Sequence, residues 1–176
     1  MRFIRIVLVL SLLSGCSNVK SEKSNPELMQ LYTSFIDNLY NSDYQLIKYI
    51  TREGETDTIR LDSINWDQEL KLFTELNISK SHLGNYNITV SKNGCEKIFQ
   101  TNSKKCTIKR YKYLLCENNL NVCIDFEKSS PLYLFSYHLE LNNKGYLIKI
   151  ISDVKMSYES KYRIEGKFFT KENKTD

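Results

Sequence analysis

The chain has 176 residues, 41% of them apolar and 26% charged, with a formal net charge of +4. That length suits one domain, two at most. Two prolines and six glycines exclude a collagen-like or low-complexity chain, and a mean hydropathy of -0.44 excludes a polytopic membrane protein. Twelve tyrosines, eight phenylalanines and a tryptophan stand beside no alanine at all. This composition disfavours long helices held by intrinsic propensity and favours strands.

Met1–Arg5 carries two arginines and no acid, and Ile6–Leu13 is apolar apart from Ser11. Eight helical residues reach only about 12 Å, against a hydrocarbon core of about 30 Å. The stretch therefore reads as a signal-peptide apolar region, not a membrane span. Leu13-Ser14-Gly15-Cys16 follows at once and resembles the lipobox of bacterial lipoproteins. The resemblance implies a signal peptide over 1–15, cleavage before Cys16 and a diacylglyceryl thioether on Cys16, with a further acyl chain such as palmitate on the new amino terminus. At about 0.8 kcal/mol per buried methylene, two or more chains hold a protein stably on a membrane. Ser17 stands where an aspartate would mark inner-membrane retention, which points to the outer membrane, on its periplasmic or surface side. Without Arg2 and Arg5 the formal charge falls from +4 to +2, so net charge gives no argument for nucleic acid.

Residues 16–25 are polar and read as a flexible tether. The domain is expected over 26–170, and 171–176 as a frayed tail. Ser24-Asn25-Pro26-Glu27 is a helix start, with Pro near the first turn and Glu27 able to close a capping box with Ser24. Leu28, Leu31, Tyr32, Phe35, Ile36, Leu39 and Tyr40 then recur on one helical face, and Asn41-Ser42-Asp43 stops the pattern. Tyr44–Arg52 and Thr58–Asp62 alternate around Glu53-Gly54-Glu55, which predicts a hairpin, with continuation of the helix as the alternative. Asn65 caps a second helix, with Gln68 three residues on; Trp66, Leu70, Phe73 and Leu76 form its apolar face, and Asp67, Glu69, Lys71 and Glu75 lie mostly outside it.

From Tyr86 the period changes to two. Strands are predicted over Tyr86–Ser91, Glu96–Thr101, Thr107–Leu115, Val122–Glu127, Tyr133–Asn142, Tyr146–Ser152 and Lys161–Phe169. Short connections between them imply hairpins and antiparallel neighbours. The fold class is α+β: a curved antiparallel meander of about seven to nine strands, with two N-terminal amphipathic helices packed on one face.

Ile64-Asn65-Trp66-Asp67-Gln68-Glu69-Leu70-Lys71-Leu72-Phe73, followed by Asn77-Ile78-Ser79-Lys80, resembles a segment of small lipoproteins of Bacteroidota, and Tyr162-Arg163-Ile164-Glu165-Gly166-Lys167-Phe168 resembles their close. The order of lipobox, helix, Trp helix and meander is similar over nearly the whole chain. The resemblance implies a compartment and a fold, and no activity. The four cysteines of the strand region depart from the pattern.

Those four are Cys95, Cys106, Cys116 and Cys123. In an exported chain an even count suggests disulfides. Cys116 and Cys123 flank Glu117–Val122, centred on Asn119-Leu120, so they can face each other across a hairpin; Cys95 and Cys106 then pair by elimination. Free buried thiols are the alternative. A zinc site among these cysteines is disfavoured, because ten and six residues separate them and no histidine lies near in sequence. His82 falls in a predicted loop beside Ser81. His138, with Ser136 and Glu140 on one strand face, is the best constellation for acid–base chemistry, but a solvated strand face is the better account of it. No phosphate loop and no zinc-protease motif is present. No catalytic residue, metal or cofactor is therefore assigned, and the chain is not expected to be an enzyme.

Lys104, Lys105, Lys109, Arg110 and Lys112 are interleaved with Tyr111 and Tyr113, a composition that suits nucleic acid. Opposite-facing neighbours on a strand and an envelope location favour a lysine-rich strand that resists edge pairing, or a face meeting anionic head groups. Thr58 and Ser63 sit in Asp-Thr-Ile and Asp-Ser-Ile triplets that resemble the O-glycosylation pattern of Bacteroidota. Two functions follow. One is a carrier that holds a hydrophobic ligand or lipid in a half-barrel groove lined by aromatics. The other is an accessory subunit that offers a sheet edge or face to an envelope protein assembly.

Overall fold

The computed structural model describes residues 26–78, 80–116, 119–154 and 159–170, and their side chains other than those of 26–28, 80, 115, 116 and 119. Helix α1 spans Pro26–Asn41. Strands β1 (Tyr44–Arg52) and β2 (Glu55–Leu61) form the predicted hairpin, register Leu46↔Leu61 to Arg52↔Glu55. Its turn takes Glu53 and Gly54, both at positive φ. The second helix is broken: α2 covers Trp66–Glu69 and α3 covers Lys71–Glu75, parted at Leu70 (φ -97°, ψ 7°). The Asn65 cap forms as expected, its side chain accepting from the Gln68 amide at 3.1 Å. A 3-10 turn over Lys80–Asn85 stands where a loop was expected around His82.

Seven strands follow: β3 (Asn87–Val90), β4 (Glu96–Gln100), β5 (Ile108–Cys116), β6 (Asn119–Ser129), β7 (Tyr133–Asn142), β8 (Gly145–Val154) and β9 (Ser160–Thr170). All nine form one antiparallel sheet, open at its edges, in the order β2-β1-β9-β8-β7-β6-β5-β4-β3. The first hairpin thus docks on the last strand, Leu46 opposite Phe168. The α+β class with a curved antiparallel sheet holds. Basic β5 is an interior strand between β4 and β6, so its lysines do not guard an edge; Lys112 pairs with Glu96, and Lys109, extruded at a bulge, lies 3.6 Å from Glu127.

Register decides which side chains share a face. Tyr111, Ile124, Leu139, Ile148 and Ile164 lie in one row; Tyr113, Val122, Leu141, Tyr146 and Gly166 lie in the next on the same side. Rings from the N-terminal segments reach this side. The Tyr32 hydroxyl bonds that of Tyr111 at 2.7 Å, Trp66 meets Phe168 edge-on at 5.2 Å, and Phe73 tilts against Tyr146 at 6.1 Å. Aliphatic side chains fill this layer together with the rings: Tyr111, Phe73, Leu70, Leu46, Val122, Ile124, Leu139 and Leu141 are wholly buried.

Two glycines let the layer close. Gly145 turns the β7–β8 hairpin at φ +153°, and a Cβ there would stand 2.0 Å from the Gly166 carbonyl oxygen. A Cβ on Gly166 would stand 2.3 Å from the Tyr146 ring. The Tyr146 side chain therefore crosses β9 over bare backbone, and its hydroxyl donates to Glu69 on α2. Glu69 also holds Lys48 of β1 at 2.8 Å. The Trp segment and the closing segment that carry the resemblance thus meet in space, through Trp66 on Phe168 and through Tyr146 between Glu69 and Gly166.

Candidate functional site

The opposite side of the sheet is polar. On β6, Val122, Ile124 and Phe126 are buried while Cys123 and Asp125 point away from them; on β7, Leu139 and Leu141 are buried while His138 and Glu140 point away. Pairing sets Cys123 opposite Glu140 and Asp125 opposite His138. Directly opposed residues of an antiparallel pair hold their Cβ atoms about 4.5–5.5 Å apart. Two rungs that are consecutive on this face, with Ile124↔Leu139 between them facing the other way, therefore bring a thiol, an imidazole and two carboxylates into one patch. Arg110 and Lys112 flank it from β5, and Lys149 and Leu147 from β8.

His138 Nδ1 lies 2.6 Å from Asp125 Oδ1, and Nε2 lies 2.7 Å from Glu140 Oε1. Partial burial pulls its pKa down, but the hydrogen bonds and charges of Glu140 and Asp125 outweigh that, so the ring titrates above its ordinary value. Cys123 is half-buried and free. Burial pushes its thiol pKa up, with Asp125 adding to the rise and Arg110 opposing it. A thiol held protonated is a poor nucleophile, and an imidazole with both nitrogens on carboxylates has none to spare as its base. The patch is therefore poorly arranged for cysteine catalysis. Its ligand atoms suit another role: one atom each from Cys123, Asp125 and His138 lies within 4.8 Å of the others.

Two clefts adjoin the patch. One of about 230 Å³ is lined by polar groups that include Asp125, His138 and Lys149, and by the apolar Phe126, Tyr137 and Ile151. The other, about 460 Å³, is bounded by Glu140, Leu147, Arg163, Glu165, Lys167 and Phe169 among others. Glu165 accepts from Arg163 at 2.9 Å, and that bond, aided by Lys167, holds its carboxyl below the usual range against a small opposing effect of burial.

No family model, curated protein or solved structure matches the chain.

The residues singled out from sequence fall as follows. Cys16 lies outside the described residues. Thr58, on edge strand β2, and Ser63 are exposed. His82 is exposed and apart from His138's partners. Neither expected disulfide forms. Cys106 is buried and free, which removes the Cys95–Cys106 pair; Cys123 is free, which removes Cys116–Cys123. The physical reason is register: Asn119 already belongs to β6 and opposes Cys116, so the turn is tighter than expected and Cys123 opposes Lys112 instead. Cys95 is disulfide-bonded all the same.

Of the His138 constellation, Glu140 takes part as expected and Asp125 was missed, because it comes from the neighbouring strand. The legible signal was the matched pair Cys-x-Asp on one strand and His-x-Glu on the next. Glu69, which the resemblance carries over with Trp66 and Phe73 as a structural residue only and which was expected mostly outside the apolar face, turns inward to Lys48 and Tyr146; the three share the i, i+3, i+7 spacing of one helix face.

Proposed function

We propose that this chain is a lipid-anchored protein of the bacterial cell envelope, held on the outer membrane through Cys16, that works by binding and not by catalysis. The observation that carries the reading is the tetrad Leu13-Ser14-Gly15-Cys16 directly after a short apolar run and two arginines. The fold bears on what is bound. In this reading the N-terminal helices form a layer on one face of the sheet, and aromatics crowd the space where an acyl-chain groove would lie. The two clefts beside the polar patch mix charged residues with Phe126, Tyr137, Leu147, Ile151 and Phe169. The crowded groove space favours the accessory-subunit reading, with the polar face as the working surface, over a carrier of hydrophobic ligand.

The test is metabolic labelling with a palmitate analogue, followed by membrane fractionation, for the wild-type chain and Cys16→Ser. Label and sedimentation with the outer membrane are expected for wild type, and neither for the variant. Equal labelling of the two would overturn the reading.

A further inference from the structure

We propose that Cys123, Asp125 and His138 form a binding site for a single divalent metal ion of the zinc class. The four side chains of the patch occupy two alternate rungs of the β6–β7 ladder that share one face, so their backbone spacing is fixed by the sheet and not by a loop. Sites built on regular elements are the ones that hold ligands in place. One thiolate, one imidazole and one carboxylate form a mixed sulfur, nitrogen and oxygen set, which suits zinc and its neighbours and disfavours calcium or magnesium. Bonds of about 2.0–2.3 Å to zinc set tetrahedral ligands roughly 3.3–3.8 Å apart. The three ligand atoms already lie within 4.8 Å of one another, so small side-chain rotations gather them.

The remaining contacts complete the arrangement. The ion enters on the Nδ1 side of His138, between Asp125 Oδ1 and Cys123 Sγ. Metal–sulfur and metal–nitrogen bonds form as the thiol proton and the Nδ1 proton leave to solvent. Glu140 keeps its bond to Nε2, which orients the ring in the manner of a carboxylate behind a metal-bound histidine. The fourth position is left to water or to a ligand from a partner. Of the flanking cations, Lys112 is held by Glu96. Arg110 and Lys149 oppose the ion's charge, while Arg110 and Lys112 favour the thiolate that binds it. The inference does not depend on the lipid anchor.

The experiment is a titration of the full chain in detergent with Co2+, read by absorption. Wild type is expected to bind one equivalent, with a thiolate-to-cobalt charge-transfer band and the strong visible bands of a tetrahedral ion, both bleached by Zn2+. Cys123→Ser removes the charge-transfer band. Asp125→Asn keeps the band and weakens binding at least tenfold, and Glu140→Gln weakens it about 10–100-fold. Cys106→Ser and Glu127→Gln leave the titration unchanged. Absence of the band in wild type overturns the proposal whatever the variants do, as does a band that survives in folded Cys123→Ser or disappears with Cys106→Ser.

Discussion

Glu69 is 15% exposed in its side chain, receives Lys48 and the Tyr146 hydroxyl, and ties α2 to strands from both ends of the chain. Removing one member of such a group leaves another desolvated without a partner. Glu69→Ala should therefore cost about 2–3 kcal/mol, measured by urea unfolding. Adding Tyr146→Phe should cost much less in that background than alone, since the two share one interaction. Trp66 is 3% exposed and stands on Phe168. Trp66→Ala should cost about 3–5 kcal/mol, and a melting temperature within a degree or two of wild type would contradict its place in the core. Burial raises the pKa of Tyr32, of Tyr111 and, with the bond to Glu69, of Tyr146 above the usual phenol value of 10.0. A raised folded-state value means stability that is full below about pH 10 and lost as pH climbs above it. These phenols should ionise only with unfolding, seen as phenolate absorbance that rises together with loss of circular dichroism.

At the level of elements, the sheet closes the row of Tyr113, Val122, Leu141 and Tyr146 over Gly166. Gly166→Ala would drive a methyl into the Tyr146 ring, and an overpacked site of this kind costs about 1–3 kcal/mol. Loss of the Tyr146–Glu69 bond would add to it, so urea unfolding should place this variant at or beyond Glu69→Ala. The strands were legible because their alternation is strong; Phe135 to Leu141 on β7 is the clearest case, and the observed ends agree within a few residues. The break at Leu70 was not legible, because the apolar spacing of Trp66, Leu70 and Phe73 survives it. The cysteine pairing was not legible either. It hangs on the β5–β6 register, and a turn centred two residues earlier moves Cys123 from opposite Cys116 to opposite Lys112. With Cys106 and Cys123 free, the sequence leaves Cys16 and Cys116 as candidates for the bond to Cys95. The β4–β5 pairing of Glu96 with Leu114 puts the end of β5 beside Cys95. Peptide mapping without reduction should link Cys95 to Cys116, and a link to Cys16 would contradict the lipidated amino terminus.

Across the whole molecule, the two sides of the sheet differ in chemistry. Tyr32, Trp66 and Phe73 reach side chains on one side, and the other carries, among the described residues, the polar patch of β6 and β7. Two free cysteines report on this division. Cys106 is 3% exposed, close to Tyr86, and Cys123 sits among the half-buried polar residues of the polar side. The most direct measurement is maleimide labelling of the native, unreduced chain, with the modified residue located by mass spectrometry. The account predicts that Cys123 is labelled while the chain is folded and that Cys106 reacts only after denaturant is added. Labelling of Cys106 in the folded chain, with Cys123 protected, would contradict it.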